Sequence, residues 1–138
     1  MLHWNPTILL VDDEKVLLDL GRDTLREFGY RIFTAESGES ALDIYQAERE
    51  SIDIVILDLC MPGMGGRKCL EELRRIDPEV KVIVASGCGC ENEMARVVGP
   101  GASRYIRKPY RTQEILELLE ELAPRSRRPG DPLESPAR

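Results

Sequence analysis

The sequence predicts an α/β domain in which helices cover both faces of a parallel sheet. Five short strand-like segments alternate with segments of helical periodicity, the pattern of repeated strand–helix units. Two of these strands, the runs 8–11 and 54–57, are continuously apolar, which is typical of strands buried on both faces. The chain has 138 residues, enough for one compact domain. Because crossovers between parallel strands are right-handed, these units predict a doubly wound sandwich.

The first strand is predicted at 7–11 and the first helix at 15–28. Gly29 is suited to end this helix because glycine readily adopts the left-handed conformation of a C-terminal cap. Four residues at helical spacing are expected to form its buried stripe: Leu18, Gly21, Leu25 and Phe28.

The second strand is predicted at 30–34 and the third at 52–57. Between them, Ser37 or Ser40 caps the second helix, because a serine hydroxyl can accept from the free amides of a first turn. The inward positions of this helix are Ala41, Leu42 and Tyr45.

The third helix is predicted at 65–76 and ends before Asp77-Pro78, because a residue before proline disfavours helical geometry. Its apolar edge contains Leu70, Leu73 and Ile76. The fourth strand (81–85), a glycine-rich loop (86–90) and a short fourth helix (92–98) follow. The fifth strand (104–106) and a fifth helix capped by Thr112 complete the domain, with Ile115, Leu119 and Leu122 inward.

Composition excludes several classes of protein. There are 19 basic and 25 acidic residues, a formal net charge of −6, which argues against a nucleic-acid-binding surface. The apolar runs have about strand length and the first six residues do not form a secretory signal, so we expect a cytoplasmic protein without membrane contact. The four cysteines lack zinc-site spacing, and the chain has one histidine.

Carboxylates follow two of the predicted strands. Asp12 and Asp13 come directly after the first strand, and Asp58 follows the third. In open α/β sheets, ligands bind at the carboxyl ends of the strands. The sequence therefore indicates one acidic pocket suited to a hard divalent cation.

Five features resemble, in order and spacing, a two-component response-regulator receiver domain of the CheY-like superfamily. They are Asp12-Asp13, Asp58 with Met61-Pro62, Ser86, Tyr105 and Lys108-Pro109. The resemblance covers about residues 6–123 and implies the flavodoxin-like (βα)5 fold, with a five-stranded parallel sheet in the order 2-1-3-4-5. It also implies a phosphoacceptor signalling domain that is not an enzyme.

The resemblance implies a role for each site residue. Asp58 is the phosphoacceptor, since a carboxylate can form an acyl phosphate. Mg²⁺ is the expected cofactor, held by Asp13, Asp58 and the main-chain carbonyl of Cys60, and by Asp12 through a water molecule. Because these carboxylates cluster, the pKa of at least one is expected to rise in the absence of the cation.

Lys108 is implied to pair first with Asp58 and then with the phosphoryl group. The family's Lys-Pro bond is commonly cis, here Lys108-Pro109. Ser86 is implied to donate its hydroxyl to a phosphoryl oxygen, and Tyr105 to follow inward as the switch aromatic. Cys60 lies two residues after Asp58, where the family tunes phosphoryl lifetime, and Cys88 lies two after Ser86.

The expected partners are a sensor histidine kinase or phosphotransfer domain as donor, and a downstream protein or output domain as receiver of the signal. A homodimer through the fourth helix, fifth strand and fifth helix is a family expectation. Residues 124–138 are rich in proline and arginine and are predicted to be a disordered tail or linker. The sequences Ala85-Ser86-Gly87 and Lys108-Pro109-Tyr110 resemble those of the terminal receiver of a hybrid sensor kinase.

Two alternatives remain open from the sequence. A pseudo-receiver would bind partners without phosphorylation, although the complete acid set argues against it. A Mg²⁺-dependent phosphatase that forms an aspartyl phosphate would need an acid two residues after its nucleophile, and Cys60 occupies that position.

Overall fold

The computed structural model describes residues 6–87 and 104–123. The strands are β1 (Thr7–Val11), β2 (Arg31–Ala35), β3 (Ile54–Asp58), β4 (Val82–Ser86) and β5 (Arg104–Arg107). The helices are α1 (Lys15–Glu27), α2 (Gly38–Glu48), α3 (Gly65–Ile76) and α4 (Thr112–Leu122). The helix α4 corresponds to the fifth helix of the sequence prediction.

The five strands form one parallel sheet in the order β2-β1-β3-β4-β5. This architecture, with helices on both faces, confirms the predicted doubly wound, flavodoxin-like fold. In the register, Asp58 lies beside Ala85 and Ser86 lies beside Arg107. The carboxyl ends of the strands therefore meet at a common edge, where β3 ends on an acid and β4 on a serine.

Alternate strand residues face opposite sides of the sheet because successive side chains of a strand point to opposite faces. On one face Leu9, Val55 and Val82 pack with α2 and α3. On the other face Ile8, Ile54 and Ile83 pack with α1 and α4. The strands β1, β3 and β4 are buried along their whole length, as their apolar composition predicts.

Two predicted details of the helices are wrong. Phe28 is 53% exposed, because α1 ends at Glu27 and Gly29, with φ of 93°, turns the chain away from the buried stripe. Thr112 does not cap α4 but is its first residue, and the N-cap is Arg111. The Arg111 amide donates to Glu114 Oε1 at 2.7 Å, so the first turn is closed by a glutamate.

The strand β1 and the helix α3 have the predicted bounds, and the other boundaries differ from the prediction by a residue or two. The strand β2 begins and ends one residue later than predicted, and β3 and β4 extend to include Asp58 and Ser86. Of the two candidate caps of α2, Ser37 is the cap, since its Oγ accepts from the Ser40 amide at 3.0 Å. The inward residues predicted for α4 are all buried.

Several predictions lie outside the described residues. They concern the fourth predicted helix (92–98), Cys88, Cys90 and the segment 124–138. In the described ranges, none of the helices has the length and apolar character needed to cross a membrane.

Candidate functional site

Three carboxylates meet at the carboxyl edge of the sheet. Asp12 and Asp13 follow β1, and Asp58 ends β3. One oxygen from each lies within 4.8 Å of the others. Asp12 and Asp58 are buried, whereas Asp13 is exposed. The structure therefore brings the three predicted acids together, with one open to solvent.

Lys108 reaches this cluster from the end of β5. Its Nζ lies 3.1 Å from Asp12 Oδ2 and 3.3 Å from Asp58 Oδ2. The Lys108-Pro109 peptide is cis. The Lys108 amide also donates to the Ser86 carbonyl at 2.7 Å, which joins the ends of β4 and β5. The lysine thus bridges the two buried carboxylates from the end of β5.

Backbone amides hold the other oxygens of the two buried acids. The Cys60 amide donates to Asp58 Oδ1 at 3.1 Å, and the Glu14 amide donates to Asp12 Oδ1 at 3.0 Å. Each buried carboxylate therefore has one oxygen on a backbone N–H and the other on Lys108. This arrangement fixes the orientation of both groups, because charge-assisted hydrogen bonds are the stronger ones.

The pKa of Asp58 is raised above its ordinary value. Burial is the largest cause, because it disfavours the charged form; the Lys108 charge opposes it, and the Asp12 charge adds to it. The predicted direction is therefore correct, but burial contributes more than repulsion between the acids. The pKa of Lys108 is also raised: burial acts to lower it, and the Asp12 hydrogen bond and the Asp58 charge outweigh that effect.

The donor set of the cluster fits a hard divalent cation. All three side chains offer carboxylate oxygens, the ligands that Mg²⁺ prefers. Lys108 balances one of their three negative charges, and two remain for a cation to balance. Because Asp13 is exposed, a cation held there would keep contact with water, as Mg²⁺ usually does.

Ser86 ends β4 at the same edge, and Tyr105 lies within β5 beside Val84. The Ser86 side chain is buried, and its hydroxyl donates to the Gly87 carbonyl at 3.2 Å. Tyr105 is 56% exposed, so its ring is not a core aromatic in this conformation. The structure therefore places the two predicted switch residues on neighbouring strands, one inward and one outward.

Gly66 is a site-supporting residue that the sequence analysis did not single out. Its amide donates to the Leu59 carbonyl at 3.1 Å, in the first turn of α3. A Cβ at this position would clash with the Asp58 carbonyl oxygen and with Leu59 backbone atoms. The start of α3 therefore packs directly on the chain that carries Asp58, which only glycine allows. The clustered glycines 63, 65 and 66 are the available sequence signal.

The cysteines in the described ranges are not in disulfides. Cys60 is exposed beside Asp58, and Cys69 is buried in α3. Burial raises the pKa of the Cys69 thiol to about 12, so it stays protonated and unreactive at neutral pH. Cys69 is therefore a core residue.

An apolar groove of about 750 Å³ adjoins the carboxylate cluster between α1 and α4. The groove, hereafter the α1–α4 groove, is lined by residues of β1, α1, the segment after β5 and α4. They include Leu17, Leu20, Thr24, Tyr110 and Ile115, together with Asp12 and Lys108 from the cluster. The sequence does not predict this groove, because it arises from the spacing of two helices.

The fold and the site define a doubly wound α/β domain with an acid triplet and a lysine at the carboxyl edge of its parallel sheet. Residues 8–120 match the family model for the response regulator receiver domain. The chain therefore belongs to the response regulator receiver family, which acts in two-component signalling and is not a class of classical enzymes.

Relatives of the chain agree with this assignment. The chemotaxis protein CheY of Thermotoga maritima is 30% identical over 117 residues, which cover 84% of this chain and 96% of CheY. A response regulator receiver domain protein from Clostridium thermocellum has a TM-score of 0.81 and 32% identity, covering 85% of this chain and 93% of its own. A chain of the CheX–CheY–BeF3–Mg²⁺ complex from Borrelia burgdorferi has a TM-score of 0.77 and 27% identity. The match covers 84% of this chain and 87% of that one.

Proposed function

We propose that Asp58 accepts a phosphoryl group from a phosphohistidine donor and that phosphorylation switches the partner-binding surface of this domain. The observation that carries the proposal is the set of charged side chains around the buried Asp58. Lys108 lies 3.3 Å from its Oδ2, and the carboxylates of Asp12 and Asp13 lie within 4.8 Å. A nucleophile, a cation site and a fixed positive charge are the parts that in-line phosphoryl transfer needs.

In the proposed reaction, an oxygen of Asp58 attacks the phosphorus atom as the bond from phosphorus to the donor's imidazole nitrogen breaks. The electron pair of that bond stays on the imidazole nitrogen. The Cys60 amide orients the Asp58 carboxylate through Oδ1. Lys108 is already at Oδ2 and pairs with the phosphoryl oxygens once they arrive.

Mg²⁺ would be held by Asp13, Asp58 and the main-chain carbonyl of Cys60, with Asp12 acting through a water molecule. The cation would supply charge neutralisation at the equatorial phosphoryl oxygens. The oxygen-only donor set supports this ligand assignment. The CheX–CheY complex from Borrelia burgdorferi, a structural relative, contains BeF3 and Mg²⁺.

The proposed switch uses the end of β4. The Ser86 hydroxyl leaves the Gly87 carbonyl and donates to a phosphoryl oxygen, and Tyr105 moves inward from its exposed position. This is a population shift between two packings, biased by one new charged group. The surface that changes contains β5 and α4, and it would face a downstream protein, an output domain or a second copy of the chain.

The proposal includes a sensor histidine kinase or phosphotransfer domain as donor, a cytoplasmic location, and a receiver unit spanning residues 6–123. In a hybrid sensor kinase, the same unit would serve as the terminal receiver.

The test is incubation with Mg²⁺ and acetyl phosphate, read by intact mass. We expect one hydroxylamine-labile phosphoryl adduct that Asp58→Asn abolishes, since the variant keeps the shape of the side chain and loses the nucleophilic oxygen. An adduct that persists in Asp58→Asn would contradict the assignment of the acceptor. No adduct from a protein that binds Mg²⁺ would favour either a receiver that accepts the phosphoryl group only from its kinase or a pseudo-receiver, and capture of the partner protein would distinguish the two.

A further inference from the structure

We propose that the α1–α4 groove binds a small protonated amine with an extended apolar body, and that this amine and a divalent cation at the carboxylate cluster weaken each other's binding. The apolar body lies between α1 and α4, and the ammonium group faces Asp12 at the end of the groove. The inference does not depend on phosphorylation of Asp58. It adds a class of ligand that would oppose loading of the cluster with Mg²⁺.

The body of the groove is apolar and elongated. Its lining residues on α1 extend from Leu17 to Leu25, a rise of about 12 Å along the helix axis. Ile115 lines it from α4. Leu17 is 43% exposed and Leu20 is 61% exposed, so part of this lining is in contact with water. An extended alkyl chain in the groove would remove that apolar surface from water, which is favourable.

The groove is charged where it meets the sheet edge. Asp12 and Lys108 line it there, and Lys108 Nζ lies 3.1 Å from Asp12 Oδ2 and 3.3 Å from Asp58 Oδ2. The lysine charge is therefore shared between two carboxylates. Asp13 adds a third carboxylate within 4.8 Å of the others. Three negative charges and one positive charge give this cluster a net charge of −2 in the absence of a divalent cation.

This net charge selects the head group of the ligand. An ammonium group beside Asp12 is attracted to the cluster, whereas a carboxylate there is repelled by it even when it contacts Lys108. A hydroxyl group gains little from the charge. The oxygens of Asp12 accept from the Glu14 amide and from Lys108, and each has a second lone pair for an ammonium proton.

The same net charge predicts antagonism between the amine and a divalent cation. Two positive charges at the cluster would cancel its net charge, so the attraction for an ammonium group would be lost. Because the coupling between two binding sites is reciprocal, the bound amine would weaken the binding of the cation by the same factor.

The experiment compares three ligands with the same alkyl chain: octylammonium, octanol and octanoate. NMR titration of the methyl groups of Leu17, Leu20 and Ile115 gives the dissociation constants and locates each ligand in the groove. Without Mg²⁺, we expect octylammonium to bind about tenfold more tightly than octanol, and octanoate to bind most weakly. Saturating Mg²⁺ should remove the preference for octylammonium over octanol. Saturating octylammonium should in turn weaken Mg²⁺ binding, followed at the Cys60 amide, by about tenfold.

Three variants and one matched control separate the apolar contribution from the charge. Leu17→Ser and Leu20→Ser should each weaken octylammonium and octanol by about fivefold and keep the ratio between them. Asp12→Asn should lower that ratio to about threefold, because it halves the net charge of the cluster. Val16→Ser is the control, since Val16 is 77% exposed on the same helix and is not among the lining residues. It should change neither the affinities nor their ratio.

Equal affinities of octylammonium and octanol without Mg²⁺ would overturn the inference, as would tighter binding of octanoate or methyl resonances that none of the three ligands shifts. A preference that persists in saturating Mg²⁺ would overturn the antagonism. Octylammonium binding that survives both leucine variants would also contradict the assignment, since an amphiphilic cation bound elsewhere on this acidic chain would behave in this way. These results are independent of phosphorylation of Asp58, which the acetyl phosphate experiment tests separately.

Discussion

On the side of the sheet covered by α2 and α3, the two helices pack on each other. Gly38 of α2 lies against Met64 and Cys69, where even an added Cβ would make tight contacts. At the opposite end of the same helix pair, the Tyr45 hydroxyl donates to Asp77 Oδ2 at 2.9 Å.

The side covered by α1 and α4 is built from an equally apolar sheet face, yet its helices leave the α1–α4 groove between them. Leu17 and Leu20 stay largely exposed there, beside Lys108 and Asp12. The comparison teaches that one face uses its apolar surface for stability, whereas the other keeps part of it available next to the site.

The largest change in the free energy of unfolding is expected on the side covered by α2 and α3, hereafter the closed side. Leu73→Ala should lower the free energy of unfolding by about 3 kcal/mol, because Leu73 is completely buried in α3 and its removal leaves a cavity. Urea denaturation measures it. A loss below 1 kcal/mol would mean that this side can collapse around the gap and is not tightly packed.

Gly66→Ala should cost about 2 kcal/mol or more, since the new methyl group meets the backbone of Asp58 and Leu59. Thermal unfolding followed by circular dichroism measures the loss. Gly87→Ala is the matched control, because its Cβ would meet nothing within 4 Å. Equal effects of the two variants would show that close approach at Gly66 is not what requires glycine there.

Asp58→Asn should raise the free energy of unfolding at pH 7, because burial disfavours the charged form of Asp58 and because Lys108 keeps its ion pair with Asp12 in the variant. The folded-state pKa of Asp58 is raised, so the native state binds this proton more tightly than the unfolded state. Ionisation therefore costs stability as the pH rises from 3.8, the ordinary pKa, through the raised value.

The gain from Asp58→Asn should accordingly shrink as the pH falls and vanish below the ordinary pKa. Denaturation of both proteins between pH 3 and pH 7 checks this sign. A gain that is constant across this range would show that the effect is not due to ionisation of Asp58.

Tyr45→Phe should lower the free energy of unfolding by about 1 kcal/mol, through loss of the hydrogen bond to Asp77. The ring itself stays in the core, so the packing of α2 is kept. Chemical denaturation of the variant gives the value. A double variant with Asp77→Ala, which removes the acceptor, would separate the pair: if the two effects simply add, the hydrogen bond does not contribute.

The smallest change in the free energy of unfolding is expected on the side covered by α1 and α4, hereafter the open side. Leu20→Ala should change the free energy of unfolding by less than about 0.5 kcal/mol, because its side chain is 61% exposed. Measured beside Leu73→Ala under identical conditions, it compares the same substitution on the two sides. Similar losses for the two would remove the distinction between a closed and an open face.

Much of the fold follows from the sequence because strand burial is local information. The continuous apolar runs of β1 and β3 identify central strands, and the acids that follow them identify the edge that carries the site. Lys108 could be assigned to the same edge because it follows β5, and the structure brings its Nζ to Asp12 and Asp58.

Other features depend on tertiary packing and could not be predicted. The helical spacing of Phe28 fits a buried stripe, but a turn at Gly29 ends the stripe before it. Burial as the main cause of the raised pKa of Asp58, and the glycine requirement at Gly66, both depend on how α3 and the sheet meet. The groove beside Leu17 and Leu20 depends on the distance between two helices.

The hydrogen bond from the Cys60 amide to Asp58 Oδ1 has a consequence for how this domain can diversify. The donor belongs to the main chain, so the tilt of the carboxylate does not depend on which side chain stands at position 60. A protein engineer can therefore exchange that side chain, which is exposed to solvent, and alter the surroundings of the acceptor without turning it. Proline is the exception, because it has no N–H to donate.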